Sequence, residues 1–173
     1  MARKYKQVAQ KRISSEVISG ISDEEIQYVL FDRVWFRAGE INQNAMEFAA
    51  TQSDGLRMVF HVTILDAEIG NGGFNQYFFN ELDQFFDEQI NGLGLIKATK
   101  HQDLLRLAAS LRRREEQNAE LQRLYEAQTM ESFMATYEFT TLGECDQGWY
   151  ALESALASSI VRYVRENARE FEL

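Results

Sequence analysis

The sequence predicts an all-α fold, a single-domain bundle of about seven or eight helices. Three observations carry this. Proline is absent from all 173 residues, which removes the strongest helix breaker and leaves Gly, Asn, Ser and Asp to punctuate the chain. Apolar residues recur at three- and four-residue spacing, and no stretch shows the two-residue alternation of a half-buried strand. With 45% hydrophobic residues, the chain can bury one sizeable core and is too short for two ordinary domains.

The elements follow in order. Ser22 ahead of Asp23, Glu24 and Glu25 has the form of a helix start, with acids facing the helix dipole. Ile26, Val29, Leu30, Val34 and Ile41, widened by Trp35 and Phe36, then predict a helix over 23–43. Asp54 is the expected cap of the next helix, in which Leu56, Val59, Phe60, Thr63, Ile64 and Ala67 mark one face. Glycines at 70–73 break it, and Phe74, Tyr77, Phe78 and Leu82 start another. Phe85, Phe86, Ile90 and Leu93 predict a short helix ended by Gly92 and Gly94. Leu104, Leu105, Leu107, Ala108 and Leu111 predict one over 101–116. "NAELQRLYEAQ" and "MESFMATYEF" read as shorter pieces, and Trp149 to Val164 as one long terminal helix from Glu144.

Charge is unevenly distributed. Residues 1–20 carry Arg3, Lys4, Lys6, Lys11 and Arg12 against Glu16, a net of +4, whereas residues 21–173 hold 13 basic and 26 acidic side chains, a net of −13. This divides the chain into a basic segment, 1–20, that can join the first helix, and an acidic helical domain, 21–173. An acidic body disfavours direct nucleic-acid binding and favours a basic partner. No apolar run approaches the roughly 18 residues of a membrane span, and the polar start lacks the apolar region of a secretory signal, so a cytoplasmic protein is expected. Cys145 is the single cysteine and reads as an ordinary reduced thiol.

Residues 68–80, "EIGNGGFNQYFFN", combine adjacent glycines with aromatics and amides. Glycines between helical segments permit backbone angles and close approaches that side chains forbid. Asn71 can adopt a left-handed conformation or cap the turn that follows, so "NGG" predicts a sharp helix-to-helix corner. A phosphate cradle is the competing account. Against it, the GK[ST] ending of a P-loop is missing and no Lys or Arg lies between Arg57 and Lys97.

"NGGFNQYFFN", with an acidic helix ahead and "LGLIKATKHQDLLRLAASL" behind, resembles the GGF-x-QYF-x-N signature of a bacterial family typified by a small DNA-mimic protein. The positions are Asn71, Gly72, Gly73, Phe74, Gln76, Tyr77, Phe78 and Asn80, and the likeness covers about 55–165. The resemblance implies an all-helical protein that self-associates as a dimer and is not an enzyme. It also implies carboxylates standing where DNA carries phosphates, and DNA-binding partners such as a helix-turn-helix repressor or a histone-like nucleoid protein. Through such partners the protein would associate with the nucleoid.

Two acidic stretches could serve that role. Between 58 and 96 stand Asp66, Glu68, Glu81, Asp83, Asp87 and Glu88 without a basic residue. Between 115 and 161 stand Glu115, Glu116, Glu120, Glu126, Glu131, Glu138, Glu144, Asp146 and Glu153 against Arg123 alone. Duplex DNA carries about one charge per 1.7 Å of axis, which two stretches with net charges of −6 and −8 cannot match. A DNA-binding protein touches only about 6 to 10 phosphates, however, so a contacted footprint can be imitated. Carboxylates also bond Arg in the two-pronged geometry that phosphates offer. The plain alternative is that these acids are the solvated faces of amphipathic helices.

Other constellations are weaker. His61, Asp66 and Glu68 do not repeat helical metal-ligand spacing, and the Glu-x-x-His pairs of a dinuclear site are missing. No cofactor is expected. Glu115 and Glu116, adjacent on a helix, point in different directions and cannot converge on a substrate. In "LRRREE", an ion pair from Arg112 to Glu116 is expected. The functional alternative to a DNA mimic is an immunity or adaptor protein that neutralises one basic toxin or enzyme.

Overall fold

A computed structural model describes residues 14–172. Most of the basic segment, residues 1–13, therefore lies outside the described residues. No strand occurs among them, and eight of the ten α-helices are at least seven residues long, as the periodicity predicts. In chain order these are α1 Ser15–Gly20, α2 Ile26–Glu40, α3 Ala45–Ala50, α4 Asp54–Phe79, α5 Phe86–Leu95, α6 Thr99–Glu115, α7 Ala119–Ala127, α8 Met130–Thr136, α9 Gly143–Tyr150 and α10 Glu153–Glu166. Short 3₁₀ turns, Leu82–Phe85 and Ala168–Phe171, flank α5 and follow α10.

The organising element is α4. Leu56, Val59, Phe60, Val62, Leu65, Ile69, Phe74 and Tyr77 are all buried, and they point to several sides of the helix. A helix apolar all round belongs inside a bundle. Around α4 pack α2, α3, α5, α8, α9 and α10, while α6 is held through α5 and α9, and α7 through α8.

Five of the ten α-helices start on a side-chain cap. Ser14, Asn44, Ser53, Asn118 and Thr129 each accept from a backbone N–H of the first turn, and Thr129 and Ser132 form a reciprocal capping box. The cap of α4 is thus Ser53 rather than Asp54, whose carboxylate instead pairs with Arg57. The helix expected from 23 begins at Ile26, because the Ser22 carbonyl closes a turn onto the N–H groups of Glu25 and Ile26. Asp23 turns away to bind Arg165 at 2.7 Å.

Gly92 and Gly94 lie within α5 instead of ending it. Helix α5 crosses α4 so closely that a Cβ at Gly92 would stand 3.0 Å from Val62. The chain leaves α5 through Lys97 in the left-handed region, φ 59°. The long terminal helix expected from Glu144 is two helices with a break at 151–152. No Gly or Pro marks this break. It is imposed by packing, since α9 lies on α4 and α6 whereas α10 lies on α2 and α4.

Candidate functional site

The glycine corner is a joint inside α4. Gly72 leaves helical angles at φ −153°, ψ 30°, and Gly73 takes φ 66°, ψ −174°, a conformation open essentially to glycine alone. The left-handed residue is therefore Gly73, not Asn71. Breaking the helix frees backbone groups that neighbouring elements satisfy. Asp146 of α9 accepts the Phe74 N–H at 2.7 Å, the Tyr137 hydroxyl donates to the Gly72 carbonyl at 2.8 Å, and the Tyr150 hydroxyl donates to the Ile69 carbonyl at 3.0 Å.

The remaining motif side chains brace the two halves. Glu68, before the joint, accepts from Gln76 at 2.9 Å and Asn80 at 2.7 Å beyond it. Asn75 donates to Thr136 and accepts from the Tyr125 hydroxyl, tying α4 to α8 and α7. Tyr77 donates to Gln89, while Phe74 meets Trp149 edge to face at 5.5 Å. The side chains of Glu68, Asn75, Gln76, Tyr77 and Asn80 all bond partners within the chain, and the stretch is a structural device.

The fourteen acids separate by environment. Four turn inward. Asp66 accepts from the Trp149 indole at 3.0 Å, and Glu68 braces the joint. Glu115, only 6% exposed, takes both hydroxyls of Thr140 and Thr141 and the Thr141 N–H on one carboxylate oxygen. Asp146 caps the second half of α4, and burial pushes its carboxyl above the usual range, a rise that the Phe74 N–H partly offsets. Expected at a partner's surface, these four hold the fold together.

The other ten, Glu81, Asp83, Asp87, Glu88, Glu116, Glu120, Glu126, Glu131, Glu138 and Glu144, are exposed. Glu120 is engaged by Arg123 at 3.3 Å. Glu88 lines a separate hollow beside Asp54 and Arg57. Four of the ten meet. Glu81 and Asp83 come from the turn after α4, Glu116 from the end of α6, and Glu126 from α7, and all line one open groove of about 520 Å³. Carboxylates from both acidic stretches thus share a single concave surface, because α5 and α6 carry the chain out and back to the end of α4.

The sequence had not pointed to the other walls of this groove, which include Arg112 and Tyr125. No ion pair joins Arg112 to Glu116 among the described residues. The guanidinium lies instead over the Tyr125 ring, 3.8 Å from its centroid, in a cation–π contact. Burial pushes the Tyr125 phenol well above its ordinary value. Its ring forms a fixed wall. The groove accordingly holds four carboxylates against one guanidinium already committed to an aromatic face.

His61 and His101 stand apart from this surface, buried among rings. His61 lies 5.5 Å from Phe60 and 5.4 Å from Phe85, and His101 lies 4.8 Å from Trp149. Cys145 is free and buried, and burial with Asp146 and Glu144 nearby pushes its thiol up. No group of three or more His, Cys, Asp or Glu side chains suited to a metal occurs among the described residues. Nor is any helix among them long and apolar enough to cross a membrane.

A family model described as DMP19-like protein matches residues 50–167. The chain belongs to the DMP19-like protein family. This is a DNA-mimic family, a non-enzymatic class of protein. The match spans α4 through α10, and so includes the joint, the acidic groove and all fourteen acids. The DMP19-like region starts somewhat earlier than the expected 55 and leaves α1 and α2 outside it. No curated protein and no solved structure matches the chain.

Proposed function

We propose that this protein binds bacterial DNA-binding proteins, a helix-turn-helix repressor or a histone-like nucleoid protein, on the surface they use for DNA. By occupying that surface it blocks their access to DNA, with no chemical step of its own. One observation supports the reading above the others. Carboxylates far apart in sequence, Glu81 and Asp83 with Glu116 and Glu126, line one open groove on a member of a DNA-mimic family. Helix ends and a short 3₁₀ turn hold their backbones in place, so little loop entropy is lost on binding.

The contact is electrostatic in kind. Arg and Lys side chains that would bond phosphates find carboxylates of matching hydrogen-bond geometry. The complementary fields speed encounter and weaken with salt. The other exposed acids, Asp87, Glu131, Glu138 and Glu144 among them, add to the overall negative field without needing direct contact.

One groove offers four carboxylates, fewer than the roughly 6 to 10 phosphates that an extensive DNA reader touches. We further infer a homodimer, in which two copies together supply a footprint of that size. Such a protein works in the cytoplasm and reaches the nucleoid through its partners.

A mobility-shift titration tests the function. Adding this protein to a helix-turn-helix repressor bound to its operator releases free operator DNA. A repressor–operator complex that stays intact at large excess contradicts the reading. Light scattering on the free protein checks the dimer separately.

A further inference from the structure

Beside the acidic groove lies a second one of about 390 Å³, in which Phe79, Met130 and Phe133 supply the apolar surface. Gln128 lines both, so the two are adjoining compartments on either side of one residue. That residue is well fixed. Its backbone is left-handed at φ 48°, and its side-chain amide donates to the carbonyls of Phe79 at 3.1 Å and Tyr125 at 2.9 Å.

A row of rings runs beneath this saddle. Tyr125 and Phe79 stand 5.6 Å apart, Phe79 and Phe133 5.0 Å, and Phe133 and Tyr137 5.3 Å. Arg112 covers the Tyr125 end. Met130, which lines the second groove, is 70% exposed, and Met134, one turn further along α8, is 60% exposed. Flexible thioethers adapt to apolar side chains of different shape. One aromatic floor thus carries carboxylates on one side and the exposed Met130 on the other.

We infer that the two grooves form a single docking surface for a cationic amphipathic segment of a partner protein. Its Arg or Lys side chains lie on the Glu81, Asp83, Glu116 and Glu126 side, and one apolar side chain of Leu, Met or Phe type enters the Met130 and Phe133 side. Charge selects this occupant. A second copy of the chain seated here face to face about a two-fold axis would bring four like-charged carboxylates against these four, whereas a basic segment neutralises them. The choice of a basic partner rests on the DNA-mimic reading. What is added is an apolar contact that a phosphate backbone does not provide, one that lets the protein hold its target where salt weakens charge pairing.

Two labelled helical peptides of about four turns test this against the full chain by fluorescence anisotropy. Both carry arginines along one face, and one has leucines beside them where the other has serines. The leucine peptide is expected to bind about tenfold or more tightly than the serine peptide, the worth of burying one leucine-sized side chain. Both peptides lose affinity between about 50 and 200 mM salt. Met130→Ser, at an exposed position, shrinks the leucine advantage to under about twofold and leaves the salt dependence unchanged.

Equal binding of the two peptides, with salt dependence retained, overturns the apolar site and leaves the acidic groove standing. Failure of both peptides to bind, or binding indifferent to salt, overturns the acidic reading and this inference with it. A Met130→Ser variant that changes sedimentation but not peptide affinity assigns the face to a second copy, and also overturns the proposal.

Discussion

Gly73 shows how one position commits a fold. A Cβ there would stand 2.5 Å from an Asp146 carboxylate oxygen, on a backbone at φ 66°. Gly73→Ala is expected to cost about 2 kcal/mol or more in denaturant unfolding, since it adds backbone strain to a clash. Asp146 gives a finer test. Its Oδ1 accepts the Phe74 N–H while burial opposes its charge. A carboxyl whose folded pKa is raised loses stability as pH climbs through its titration range, so its ionised form is the costly one at neutral pH. Asp146→Asn keeps an acceptor and removes that charge, and is expected within about 1 kcal/mol of the parent. Asp146→Ala, which orphans the N–H, is expected to cost about 1–3 kcal/mol. Equal loss in both variants would show that the charge itself matters.

How an acid is used depends on what faces it, and sequence position alone does not reveal that. Glu115 and Glu116 are neighbours in the chain, yet one is taken up by Thr140 and Thr141 and the other opens into the groove. Arg112 and Glu116 have ideal spacing for a helical pair. The better partner, Tyr125, lies on the next helix and was invisible to a periodicity count.

Among the elements, apolar periodicity made the longer helices legible, whereas the capping signals at Ser22 and Asp54 misplaced the starts of α2 and α4. The pieces that became α7 and α8 were legible as short helices, though their caps at Asn118 and Thr129 are known from the structure alone, and the glycine joint in α4 was readable because two adjacent glycines have few other uses. Elements set by tertiary packing were not legible. The α9–α10 break falls at Ala151 and Leu152, which no propensity scale marks. The six-residue helices α1 and α3 are too short to show a period.

Gly92 misled because a glycine that stops a helix and one that lets two helices touch look alike in sequence. Its packing role makes a prediction. Gly92→Ala should push α5 off Val62 and Met58 and lower stability by about 1–3 kcal/mol, although alanine is the better helix former. A gain in stability would mean that the α4–α5 contact is loose.

Across the whole molecule, the charge imbalance was plain from composition, but its arrangement depended on the chain's return through α5 and α6. That return brings four carboxylates of the two stretches to one groove and leaves the rest distributed. The core also has a pH signature. Burial lowers the pKa of both His61 and His101, with Glu88 and the Leu152 backbone only partly compensating. Unfolded histidines titrate near 6.5, so the stability that these neutral rings lend is present above that value and is lost as pH falls through the lower folded pKa values. With only two histidines in the chain, an NMR titration of the ring protons reads both directly. Midpoints below the ordinary value are expected, and a midpoint at or above it contradicts the buried environment.

In the proposed function, position and not net acidity makes this chain a stand-in for DNA, and a paired-variant competition measures it. One variant neutralises the groove with Glu81→Gln, Asp83→Asn, Glu116→Gln and Glu126→Gln. The other makes the same change in charge at exposed acids elsewhere, with Glu16→Gln, Glu24→Gln, Glu47→Gln and Glu166→Gln. In displacement of operator DNA from a helix-turn-helix repressor, the groove variant should lose at least about tenfold in potency, roughly a third of a kcal/mol per charge, and the control should change by less than about threefold. Equal losses in the two variants would reduce the effect to bulk charge and contradict the account.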